Sequence, residues 1–151
     1  MVLLMRGVFM RIMWTYGHTI SQSFIDEMEN YFEVKLPLLY KQIVLEHDKG
    51  RPSLNCFDMP DSQEKMFLGL LSLDRDDKYK TNVYSCDEAL KSQGLDTWLV
   101  PFGIDPFGNF ICFDYSHRAA EPEIVYCDHE TGFEPSFVCG SFNEFLDILH
   151  D

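Results

Sequence analysis

LVPFGIDPFGNFICFDY, residues 99–115, decides the fold. Two apolar, strand-forming pieces flank Asp105-Pro106-Phe107-Gly108-Asn109, and nearly every residue of those five favours a turn. The stretch therefore reads as a buried hairpin, and it makes the chain sheet-containing. Cys112 alternates with apolar neighbours and reads as a small buried hydrophobe.

Working outward, Glu123–Asp128 is expected to form a third strand, with Ile124 and Tyr126 facing opposite to Val125 and Cys127. Phe137-Val138 adds an edge piece. Ser141-x-x-Glu144 is a capping box that opens a final helix, on which Phe142, Phe145, Leu146 and Leu149 make one stripe.

Towards the N-terminus, Met66–Leu73 is continuously apolar and reads as one buried strand. Asn82–Cys86 reads as a short strand, followed by a helix opened by Ser85-x-x-Glu88 and ended by Gly94. An earlier helix begins at Ser21, with Phe24, Ile25, Met28, Tyr31 and Phe32 on one face. Pro37 opens another, striped by Tyr40, Ile43, Val44 and His47, and Gly50 and Pro52 end it. The expectation is a single α+β domain: a mostly antiparallel sheet of five or six strands with helices packed against it. Residues 1–15 read as a poorly ordered extension and 16–151 as the domain.

At 151 residues, 46% hydrophobic with 13 Phe, the chain is long and apolar enough to hold a Phe-rich core without staples. Five cysteines without a C-x-x-C pair argue against a zinc knuckle or a redox motif, and fit a reduced, cytoplasmic protein. Arg6 and Arg11 interrupt the apolar N-terminal stretch, so neither a membrane span nor a signal peptide is expected.

Net charge is −13. From Ser92 onward eleven acids face the single base Arg118, a net of −10. Such a field disfavours nucleic acid and anionic membrane and favours a basic protein partner. The acids expected at loops and strand ends are Asp105, Asp114, Glu121, Glu123, Asp128, Glu130 and Glu134, and these are the candidate contacts.

Reactive motifs are scarce. The sequence has no phosphate-binding glycine loop and no Gly-x-Ser-x-Gly elbow, and His129-Glu130 lacks the second histidine of a zincin. Cys127-Asp128-His129-Glu130 gathers ligand-type residues, but neighbours in a strand point to opposite faces. No metal, cofactor or catalytic residue is assigned.

Three segments together resemble the SUKH family, the bacterial immunity proteins related to the yeast cell-wall-assembly regulator Smi/Knr. Leu36-Pro37-x-x-Tyr40, after Ile20-Ser21 and Glu29, is similar to its second helix start. Pro101-Phe102-Gly103, Asp105, Gly108-Asn109 and Asp114 are similar to its central hairpin. Ser141-Phe142-x-x-Phe145-Leu146 is similar to its closing helix. Asp48-Lys49-Gly50-Arg51 departs from the Asn-Gly-Gly turn that the family often carries. Physical reasoning gives these residues structural work, with Gly103 and Gly108 placed in tight turns. The resemblance implies a protein that neutralises a toxin, often a nuclease, by binding it; the alternative is a regulatory scaffold with another partner.

Overall fold

The computed structural model describes residues 11–79, 81–95, 98–117 and 120–151. Its centre is the hairpin. Strands β6 (Leu99–Ile104) and β7 (Phe110–Asp114) pair antiparallel and continue into β8 (Glu123–Cys127) and β9 (Pro135–Cys139). Short β5 (Gly69–Leu70) adds to β6, giving one five-stranded antiparallel sheet in sequence order. Two small ribbons flank it: β1 (Trp14–Thr15) with β2 (Arg51–Pro52), and β3 (Cys56–Asp58) with β4 (Glu64–Met66).

Four α-helices lie among the described residues: α1 (Gln22–Phe32), α2 (Leu38–His47), α3 (Val83–Ser92) and α4 (Phe142–Ile148). Glu29 ties the first two together, its carboxylate accepting from Leu36 N at 2.7 Å and from the Lys41 ammonium at 3.4 Å. Pro37 sits one position before the first helical residue, and Ser21 has an extended N-cap backbone while its hydroxyl bonds Ser23. At α4 the Ser141 hydroxyl accepts from Glu144 N, and the Glu144 carboxylate accepts from Gly140 N, so the box closes one residue early.

Aromatic rings fill the space between sheet and helices. Phe102 and Phe113 stack across β6 and β7 with centroids 4.3 Å apart, and Tyr40 meets Phe113 and Phe142 edge-on at 5.1 and 5.6 Å. Each such pair adds about 0.5–1.5 kcal/mol beyond area burial. All five cysteines are free thiols, and burial pushes Cys86 up to about 12.

Several expectations change. Met66–Leu73 is not one strand: Met66 ends β4, Phe67 turns its ring into the core, and Gly69–Leu70 joins the main sheet. A run apolar at every position carries no period to mark that break. Asn82–Cys86 is not a strand either. The Asn82 side chain accepts from Tyr84 N and Ser85 N and caps α3 three residues before the Ser85 box. Gly103 lies in β6 at a register shift, not in a turn; a Cβ there would meet the Phe67 ring at 2.7 Å. Gly108 does take the left-handed conformation, at φ 87°. Within the expected extension, residues 1–10 lie outside the described residues, whereas Ile12 is buried and Trp14-Thr15 pairs with Arg51-Pro52.

Candidate functional site: the hairpin tip

The turn between β6 and β7 is locked by one buried carboxylate. Asp105, 4% exposed, accepts from Phe107 N and Asn109 N through Oδ1 at 2.8 and 2.9 Å. Its Oδ2 accepts from Asn109 Nδ2 at 2.8 Å and from the Tyr126 hydroxyl at 2.6 Å. Both oxygens are thus satisfied without a cation, as a buried carboxylate requires. Burial, and then the bond to Asp105, raise the Tyr126 phenol well above its ordinary value, so it stays a donor.

Asn109 passes the lock to the next loop. Its Oδ1 accepts from His129 N at 2.9 Å and lies 2.6 Å from His129 Nδ1. The loop is a 3-10 turn, His129–Thr131, capped by Asp128, whose carboxylate accepts from Glu130 N. Phe133 returns the chain at φ 62° and stacks on Phe110 at 4.7 Å.

These two loops and β4 enclose a groove of about 310 Å³. Phe107 stands at its edge, 68% exposed, on a backbone held by Asp105. Glu64, Asp128 and Glu130 line it, and Lys65 lies over the Tyr126 ring at 5.1 Å. An exposed ring thus stands on a fixed turn at a groove lined by these three carboxylates, the Lys65 ammonium and His129.

The seven candidate acids divide by position. Asp128 and Glu130 gather at the tip, with Glu134 just before β9, which pairs with Cys127. Asp105 is there too, but it is withdrawn from the surface into the lock. Asp114, Glu121 and Glu123 belong to the other end of the β7–β8 pair, roughly 13 Å along the strands at about 3.4 Å per residue. There Asp114 caps Ser116 N, and His117 lies 3.2 Å from Glu123.

The Cys127–Glu130 run does not assemble as a ligand set. Cys127 is fully buried with its sulfur against Cys112, while His129 turns outward. Donor atoms do converge within 4.8 Å at Asp58, Glu64 and His150, and at Asp114, His117 and Glu123. Phe107, Glu64 and Lys65 were missed in the sequence reading. An aromatic residue inside a Pro-x-Gly turn was the only local signal for the first.

The fold is a single α+β domain in which a buried polar cluster shapes the hairpin tip. The chain belongs to the SMI1 / KNR4 family (SUKH-1), whose model matches residues 19–148. A crystal structure of a protein from Pseudomonas syringae pv. tomato is similar at a TM-score of 0.48 and 9% identity, covering 83% of this chain and 82% of that one. No curated protein matches the chain. Among the described residues no helix is long and apolar enough to cross a membrane.

Proposed function

We propose that this chain is an immunity-type protein that binds a cognate toxin domain in the cytoplasm and covers its active surface. The partner is a basic, nuclease-like domain, because a cleft that holds phosphates presents the cations an anionic rim can occupy. The observation that carries the reading is Phe107, exposed on a locked turn among Glu64, Asp128 and Glu130. The overall charge of −13, with Glu64, Asp128 and Glu130 at the tip, favours encounter with a basic partner.

Binding is the activity proposed, with no reaction assigned to the tip. The test is co-expression with the toxin domain encoded beside this gene. Survival of the cells and co-purification of the pair support the proposal. Unprotected cells and no complex overturn it in favour of a scaffold role with a different partner.

A further inference from the structure

A second groove, of about 400 Å³, has the opposite chemistry. Its apolar lining includes Leu68, Leu70 and Ile104, and the Tyr16 and Tyr79 rings border it, 80% and 68% exposed. Cations lie on those rings: Arg51 over Tyr16 at 5.0 Å, and Lys49 and Lys78 over Tyr79 at 5.2 and 5.0 Å.

The bases beside these rings differ in whether they have a carboxylate partner. Lys49 has one: its ammonium bonds Asp77 at 2.6 Å, and Asp77 also accepts from Tyr79 N, which fixes that loop. Arg51 and Lys78 form no ion pair among the described residues. A guanidinium stacked on an aromatic face keeps its in-plane N–H donors free, and their fork matches a carboxylate. Tyr16 holds its ring there at φ 62° and Lys49 takes φ 66°, a conformation uncommon for residues with side chains.

We propose that this groove binds an extended acidic peptide segment of a partner protein, its carboxylates meeting Arg51, which lines the groove, and Lys78, which lies over the bordering Tyr79 ring, and its aliphatic side chains meeting Leu68, Leu70 and Ile104. Charge complementarity is local. With a Debye length of about 8 Å at physiological salt, the distant acids of the protein are screened while direct contacts are not. Nucleic-acid affinity comes from neutralising several phosphates at once, and this groove offers only Arg51 and Lys78 as cations without an ion pair among the described residues, so a short peptide is the better occupant. The proposal is independent of toxin neutralisation, which uses the opposite sign of charge at the hairpin tip.

The test is fluorescence anisotropy with a labelled, end-blocked Asp-Leu-Glu-Leu-Asp peptide and its Asn-Leu-Gln-Leu-Asn counterpart. Saturable binding of the acidic peptide is expected, with the neutral one about tenfold weaker or worse. Arg51→Ala with Lys78→Ala, and separately Tyr16→Ala, weaken the acidic peptide about tenfold, whereas Glu88→Gln, at an exposed position outside both grooves, does not. These side chains are exposed, and an unchanged melting curve verifies each fold. No saturable binding, or binding indifferent to Arg51 and Lys78, overturns the proposal. Tighter, Arg51-dependent binding of a labelled oligothymidylate also overturns it and reassigns the groove to nucleic acid.

Discussion

The Tyr126 hydroxyl donates to Asp105 Oδ2 at 2.6 Å, joining β8 to the turn between β6 and β7. This single bond explains why a surface turn is built on a buried acid. Asp105 substitutes for water at two backbone N–H groups and is itself held by Tyr126 and Asn109.

Asp105→Ala leaves those donors buried and unpaired, so it should destabilise the fold by about 2–4 kcal/mol, and Tyr126→Phe by about 1–2 kcal/mol. Urea unfolding monitored by tryptophan fluorescence measures both. The double variant should cost less than the two single losses combined, because the residues share one network. Full additivity would mean that they act separately.

Asn82 and Ser85 make competing claims to start α3, and the structure gives the cap to Asn82. Asn82→Ala should cost about 1–2 kcal/mol, since the site is buried and two backbone donors lose their acceptor. Ser85→Ala should stay within about 0.5 kcal/mol. Equal losses, measured by thermal melting, would return the helix start to Ser85.

That contest shows what sequence could and could not reveal. The hairpin at 99–115 was legible because two short apolar runs and the turn formers between them agree, and the closing helix because Ser141 and its apolar stripe agree. Val83 and Tyr84 favour strands, so local propensity pointed the wrong way and the Asn82 cap went unread. The tip resisted for another reason: Asp105 looked like an exposed turn acid, and the partner that draws it inward lies 21 residues away in another strand. Asp114 ends β7 and Glu123 begins β8 beside it, while Asp128 follows the far end of β8, and only pairing register tells which end each acid occupies.

Gly103→Ala places a methyl group against Phe67, with the Cβ 2.7 Å from a ring carbon. Phe67 is fully buried and touches Phe102 and Phe145, so its ring has little room to move. The expected loss is about 1–3 kcal/mol. Phe67→Leu together with Gly103→Ala should recover part of it relative to the Phe67→Leu background. No recovery in urea melts would place the strain elsewhere.

Asp48 gives a pH signature. It is fully buried, accepts from the Ser72 hydroxyl and Leu73 N at 2.9 Å each, and lies 3.6 Å from His18 Nε2. Burial raises its pKa above 3.8 in spite of these bonds. The folded form therefore binds this proton more tightly than the unfolded chain does. Its contribution to stability falls as pH rises from near 3.8 through the folded value. Asp48→Asn removes that slope, so the variant should gain stability relative to the parent as pH rises through the window. A difference that stays flat with pH, measured by urea unfolding at several pH values, would contradict the shift.

Phe107 and the acids around it should separate kinetically in the proposed toxin complex. Rim charges act over distance, so Asp128→Asn with Glu130→Gln should slow association and flatten its dependence on salt while leaving dissociation nearly unchanged. Phe107 acts only in contact. Its removal to Ala should hasten dissociation about tenfold or more, with association unaltered and fold stability held within about 0.5 kcal/mol, since the ring is 68% exposed. Surface plasmon resonance at low and physiological salt distinguishes the two. An association rate indifferent to salt in the parent would remove the electrostatic half of the model, and a silent Phe107→Ala would move the anchor away from the hairpin tip.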